Sequence, residues 1–244
     1  MAHGSTARPL KMAASTVKKT APRRKPSLLI ADCEFIKPTR IARELFILET
    51  LALDSSLSQH KLGESSFLSG AMVNQYLRNL QDKGLIRFVP TGNKTYSYEP
   101  TEEGAALRRS MFAAYSGELV RLYSALKRCI LEKVSCLEAK GIRKIALFGA
   151  SETGEVALAA LAESPFDVVA VVDNDPEKHG KFFKGHIVCA PEALQYIPIE
   201  AVVITSFGHQ DEIYAQIAPL ASRKGMEVLK FEGIHPPPFR SDHR

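Results

Sequence analysis

Cysteine is scarce in this chain of 244 residues, with four in all, and long apolar runs are missing. No stretch approaches the roughly 20 apolar residues that a membrane-spanning helix needs, so no membrane partner is expected. The N-terminus has no apolar core of the secretory type, and the expected location is the cytoplasm. Cys33, Cys129, Cys136 and Cys189 show no C-x-x-C spacing. In a reducing compartment they read as free thiols. His179 and His186 stand seven apart without cysteine or carboxylate spacing, so no metal ligand is expected. Acidic residues are missing altogether from residues 1–27.

What is present is basic and unevenly spread. The formal net charge is +5, yet residues 1–140 hold 22 Lys and Arg against 13 Asp and Glu, and residues 141–244 hold 10 against 14. A basic front half joined to an acidic back half suits a polyanion binder attached to a second module. With 45% hydrophobic residues the chain can bury two cores. Residues 1–27 carry Arg8, Lys11, Lys18, Lys19, Arg23, Arg24 and Lys25 among Ala, Ser, Thr and Pro, too little apolar matter for a core. Two readings stand side by side: a disordered arm that adds phosphate contacts, or a solvated tail. Leu28 to Ile36 is a short apolar stretch. Thr39 is the expected cap of a helix to about Leu53, with Ile41, Leu45, Leu48 and Ala52 on its buried face.

Ser58 to Gly104 organises the front half. Its pattern predicts a short helix, a turn, a longer helix with Val73, Leu77 and Leu80 inward, and a two-stranded wing. Gly84 ends the longer helix where positive φ is wanted, after Lys83 in the last turn. Leu85 to Phe88 and Thr95 to Tyr98 alternate as strands about a Gly92-Asn93 turn. The run LSGAMVNQYLRNLQDKGLI, with its Gly-Asn wing and EPTEEG, resembles the winged helix-turn-helix of MarR-type transcription regulators over about Ile41 to Arg109. The resemblance implies a DNA-binding domain over 28–100 and double-stranded DNA as partner. A major groove admits one helix. The outward residues would be Met72, Asn74, Gln75, Arg78 and Asn79, and Asn, Gln and Arg match adenine or guanine edges. Ser69, the expected N-cap, and Lys94 on the wing suit phosphates. The alternative is a winged helix used for protein contacts.

Thr101 is expected to cap a long helical connector over 101–140, with Glu102 and Glu103 in its first turn and a break or kink admitted at Gly117. Winged-helix regulators commonly build their dimer interface on such a helix. The expectation is a homodimer with Leu122, Leu126 and Ile130 at its interface, the alternative being an intrachain connector. Cys129 and Cys136 lie two turns apart on one face.

Residues 141–234 read as alternating strands and helices, a small parallel three-layer α/β domain before a tail at 235–244. Lys144 to Phe148 is a buried strand, GASETG follows it, Glu155 to Leu161 is helical, and Asp167 to Val172 is a second strand ending at Asp173. Gly149 and Asp173 are 24 residues apart, close to the distance from glycine loop to ribose-binding acid in dinucleotide folds. The loop is G-x-x-x-x-G, with Ser151 where a central glycine would let a pyrophosphate approach. FGASETG…VVAVVDNDPEKHGKFFKGHIVCAPEAL resembles the Rossmann-like nucleotide-binding domain of bacterial polysaccharide-biosynthesis proteins, over about Ile142 to Phe231. The resemblance implies a nucleotide-type ligand, NAD(H), a nucleotide-sugar or a CoA-like molecule. Gly149, Ser151, Thr153, Gly154 and Asp173 would hold it, with Ser206 and His209 at the pocket edge and Asp173 disfavouring a 2′-phosphate. Gly154→Val is expected to abolish binding and leave the fold intact. The domain order is also similar to that of Rex-type redox-sensing repressors. No Tyr-x-x-x-Lys pair of the kind that dehydratase and epimerase relatives need for proton and hydride chemistry is expected, no catalytic constellation rises above background, and the chain is expected to be no enzyme. The expected whole is an α/β multidomain regulator. The alternative is a nucleotide-sugar enzyme or accessory subunit.

Overall fold

The computed structural model describes residues 37–92 and 95–231. The basic arm, Cys33, the apolar stretch at 28–36, Lys94 and the tail from 235 lie outside the described residues. The chain divides into two compact units, one ending at Phe112 and the other starting at Ala113.

The first unit opens with α1, Arg40–Leu53, whose N-terminus is capped by Thr39 Oγ1 accepting from Ala42 N–H at 3.2 Å. Leu45, Ile47, Leu48 and Leu51 are buried, whereas Ile41 is 69% exposed and Ala52 is also exposed. The expected stripe is therefore rotated towards Ile47 and Leu51, because α2 and β2 meet the helix on that side. Helix α2, Gln59–Ser66, starts at the Ser58 cap and ends at Phe67 in the left-handed region, φ 57°. A Cβ at Gly63 would lie 2.5 Å from the Leu68 carbonyl oxygen, so only glycine lets the turn fold back this closely. Helix α3, Gly70–Asp82, buries Val73, Leu77 and Leu80 as its 3.6-residue period requires. Gly84 stops it at φ 71°, with the Leu85 amide returning to the Leu80 carbonyl.

The wing pairs β1, Ile86–Gly92, antiparallel with β2, Thr95–Pro100, and Phe88 stands opposite Tyr98. Their rings meet edge to face at 5.0 Å. Leu62 and Ile86 join the three helices in one core, and fully burying such a side chain is worth about 1.5–3 kcal/mol.

Helix α4, Glu102–Ala139, runs 38 residues without a break at Gly117. Thr101 Oγ1 accepts from Gly104 N–H at 3.0 Å and donates to the Gly84 carbonyl at 2.8 Å, tying the cap of α4 to the end of α3. Met111 packs on the first core.

The second unit is a six-stranded sheet: β3 Lys144–Phe148, β4 Asp167–Val172, β5 Phe182–Phe183, β6 His186–Cys189, β7 Ala201–Ile204 and β8 Glu227–Lys230. Their order is β5-β6-β4-β3-β7-β8, parallel except for β5. Strand residues alternate between two cores. Ile145, Leu147, Val171 and Val203 face α5, Glu152–Leu161, and Ile130, Val134 and Leu137 of α4. Ala146, Phe148, Val172 and Ile204 face α6, Gln210–Lys224, and Leu194. This is the expected Rossmann-like three-layer arrangement. Ile130 corrects the expected interface: it is fully buried in its own unit, and Leu126 packs beside it.

Candidate nucleic-acid interface and ligand crevice

In the first unit the HTH turn presents α3. Ser69 caps it, its Oγ accepting from Met72 N–H at 3.4 Å, so this hydroxyl has a structural partner as well as an exposed position. Gln75 and Arg78 are exposed, Met72 is 40% exposed, and Asn74 and Asn79 are half-buried. With Val73, Leu77 and Leu80 spent on the core, these five form the helix's outward side, a face rich in amides with one guanidinium. Asn, Gln and Arg side chains are the types whose groups can match adenine or guanine edges.

Ion pairs decide which cations are available nearby. Glu44 holds Lys83 at 3.5 Å and Arg40 at 3.6 Å, and Glu49 holds Arg108 at 3.0 Å. Lys61 on α2 and Arg87 on β1 are exposed and make no ion pair among the described residues. Sequence reasoning missed both; nothing short of the pairing pattern separates them from Lys83 and Arg40.

In the second unit, β3 has β4 on one side and β7 on the other, so the crevice beyond its carboxyl end lies at a topological switch point. Gly149 leaves β3 at φ 123°, and a Cβ there would meet Thr205 Oγ1 at 3.0 Å and Ser206 N at 3.1 Å. Thr205 is fully buried and its hydroxyl donates to the Gly149 carbonyl at 2.8 Å. On the other side, Asp173 Oδ2 accepts from Ala150 N–H at 2.7 Å. The glycine turn is thus held from both neighbouring strands. Thr205 and Ala150 were not singled out in the sequence, because only strand pairing brings them together.

Asp173 is buried and carries two further partners: Asp175 N–H to Oδ1 at 2.9 Å and Lys178 Nζ to Oδ2 at 2.9 Å. Burial pushes its carboxyl up. The Asp175 amide, Lys178 and the Ala150 amide outweigh that and hold it below its ordinary value. Lys178 also offsets the charge expected to repel a 2′-phosphate. His179 Nε2 reaches the Asp173 carbonyl at 2.8 Å.

Ser151 stands at the N-cap of α5 in extended conformation, φ −131°, without a side-chain cap bond, and Thr153 is half-buried in the first turn. Amides at such a terminus attract anions. A Cβ on Gly154 would lie 2.3 Å from the Gly149 carbonyl oxygen. That corrects the expectation that Gly154→Val leaves the fold intact, since helix and loop backbones touch there. Ser206 lies against Gly149, and His209, on the following turn, pairs through Nδ1 with Glu212 at 3.0 Å.

The described residues contain no group of three or more His, Cys, Asp or Glu placed to hold a metal ion. No helix of the described residues is long and apolar enough to cross a membrane. Tyr-x-x-x-Lys spacing does occur, at Tyr123 and Lys127. Both stand on α4 rather than on a loop at the carboxyl edge of the sheet, and Lys127 is paired with Glu163.

Residues 42–87 match the winged helix-turn-helix DNA-binding family. That span contains α2, the turn and all of α3, so the resemblance drawn from the Ser58 to Gly104 pattern holds. Residues 141–225 match a second family, described as C2185-like, N-terminal. This span runs from β3 through α6 and includes both sides of the glycine turn. None of the curated proteins matches the chain.

Among solved structures, UDP-D-quinovosamine 4-dehydrogenase from Vibrio fischeri is 23% identical over 36% of this chain and 77% of that one, TM-score 0.31. The MarR family regulator SPO1453 from Silicibacter pomeroyi DSS-3 is 22% identical over 35% of this chain and 61% of that one, TM-score 0.30. RSP, a Rex-family repressor, is 15% identical over 78% of this chain and 77% of that one, TM-score 0.30.

Proposed function

We propose that this protein is a transcription regulator, not an enzyme, that binds double-stranded DNA through α3 and is modulated by a nucleotide-type ligand in its second unit. The observation that carries the reading is the division of α3 into two faces. Val73, Leu77 and Leu80 anchor it in the core, while Gln75 and Arg78 stand exposed beside Asn74 and Asn79. The DNA-binding family match over the same residues supports it. The wing, with Lys94, and Ser69 at the helix start would serve phosphates.

The ligand reading rests on the glycine turn of β3, held by Asp173 and Thr205, at the N-terminus of α5. Gly149, Gly154 and Asp173 would build the cradle, Ser151 and Thr153 would offer amides and hydroxyls, and Ser206 and His209 would border it. NAD(H), a nucleotide-sugar and a CoA-like molecule are the ligand classes this arrangement suits. Titration calorimetry with each of the three tests it.

A two-fold DNA reader needs a dimer interface. Leu119, Val120, Leu122 and Tyr123 on α4 are 50%, 63%, 46% and 45% exposed, an apolar surface that a second copy would cover. The deciding experiment recovers protein-bound fragments from sheared genomic DNA, then measures their affinity with and without ligand. Coupling of roughly 5–150-fold, with DNA changing ligand affinity by the same factor, is the expected result. Equal retention of every fragment would overturn the reading.

A further inference from the structure

A ligand at the switch point of a parallel sheet lies beyond the carboxyl ends of the strands, and the acid that ends the second strand faces its ribose. Here that acid is Asp173. Taken alone, its charge would turn away a phosphate on the ribose. The fold gives it a counter-ion: Asp173 is buried, and Lys178 Nζ lies 2.9 Å from its Oδ2.

The loop after β4 places Lys178 there through its own bonds. Asp175 Oδ1 accepts from the Glu177 N–H at 2.9 Å and opens one short turn over Pro176–Lys178, with the Lys178 N–H on the Asp175 carbonyl at 3.0 Å. His179 Nε2 meets the Asp173 carbonyl at 2.8 Å, and the Gly180 N–H donates to the Val188 carbonyl at 2.9 Å, fastening the loop to β4 and β6.

The bonds left over in this pair are unequal. Asp173 Oδ2 accepts from Lys178 and from the Ala150 N–H, and Oδ1 accepts from the Asp175 N–H. Of the roughly four acceptor sites of a carboxylate, about one remains, on Oδ1. The Lys178 ammonium makes no other hydrogen bond among the described residues, and its side chain is 37% exposed. An ammonium carries three donors, so two remain. The other carboxylates of the loop stand apart from the pair: Asp175 caps the turn, and Glu177 is exposed to water and ions that screen it.

We propose that Lys178 sets the ligand class of the crevice, which takes a nucleotide whose ribose carries a phosphate, as in NADP(H) and CoA, in preference to the bare ribose of NAD(H) or a UDP-sugar. The proposal rests on the ligand reading above and narrows it. A bare ribose diol presents two donors and needs two acceptors, and Asp173 has only Oδ1 to offer. A phosphate on one hydroxyl leaves the other to donate to Oδ1 and gives the free Lys178 donors an anion. Lysine serves phosphate as a compact point charge.

The test is titration calorimetry on the full chain with pairs that differ only in this phosphate, NADPH against NADH and CoA against dephospho-CoA, and with UDP-glucose. In the unmodified chain a phosphorylated member should bind tighter than its partner. Lys178→Gln, which keeps a donor for Asp173 but no charge, should weaken that member by about tenfold or more, the worth of a charge-assisted hydrogen bond, and change its partner little. Lys178→Arg should retain the preference. A double variant, Asp173→Asn with Lys178→Gln, leaves no buried carboxylate unpaired and should show the same loss, which keeps the test decisive if thermal melts find Lys178→Gln unfolded. Tighter or equal binding of the bare-ribose members, an equal loss for both members of a pair, or binding of UDP-glucose alone overturns the proposal and leaves the ligand reading standing. If none of these ligands binds the unmodified chain, the ligand reading itself fails and the proposal with it.

Discussion

Asp173 accepts a hydrogen bond from the Ala150 amide at 2.7 Å, joining the end of β4 to the turn that follows β3. A carboxylate in this position is usually considered for what it offers a ligand. Here Ala150, Asp175 and Lys178 already donate to its two oxygens, so part of its work is to hold the glycine turn. It has acceptor capacity left, since a carboxylate offers about four lone-pair sites. The glycine turn is therefore held by the protein's own groups.

Asp173→Asn should destabilise the second unit by about 1–3 kcal/mol at neutral pH, the range for breaking a buried charged hydrogen-bond set. Because the Asp173 carboxyl titrates below its ordinary value of 3.8, its contribution is complete above that pH and disappears as pH falls through the lower folded value. Urea unfolding of both proteins at pH 7, and thermal melts on descending to acid, should show the gap closing only below that point. A gap that is constant with pH would mean that the charge is irrelevant.

Gly154→Ala should lower stability by about 3 kcal/mol, the upper end of the usual cost of overpacking, because the new methyl meets the Gly149 carbonyl backbone. Gly180→Ala is a useful contrast. Its added Cβ meets nothing within 4 Å, and its cost is one of φ, 75°, alone. Chemical denaturation ranks the two, and the steric account fails if Gly154→Ala is the milder.

Replacing Gln75 or Arg78 by Ala should cost about 1–3 kcal/mol on a selected fragment and little on unrelated DNA. Lys61→Ala should weaken both alike and make the salt slope shallower by about 0.9. Anisotropy on matched duplexes separates the two behaviours. If all three variants act alike, α3 does not read bases.

Leu122→Glu should turn a dimer into a soluble, folded monomer in light scattering, since Leu122 is 46% exposed within its own unit. Ile130→Glu, two turns further along α4, should unfold the second unit, because Ile130 is fully buried among β-sheet and α5 side chains. Circular dichroism distinguishes loss of association from loss of structure.

Much of this was legible in the sequence for local physical reasons. The period of Val73, Leu77 and Leu80, the Thr39, Ser69 and Thr101 caps, the positive φ of Gly84, and the two apolar strands around Gly149 each follow from a few neighbouring residues. The tertiary structure decided whatever depends on which surfaces meet. It turned α1 onto Ile47 rather than Ile41 and moved Ile130 from an expected interface into a core. It also paired Lys83 with Glu44, leaving Lys61 and Arg87 exposed without an ion pair among the described residues. Thr205 and Ala150 came together at one turn for the same reason: parallel strands place side by side residues that are tens of positions apart, and no local pattern records that distance.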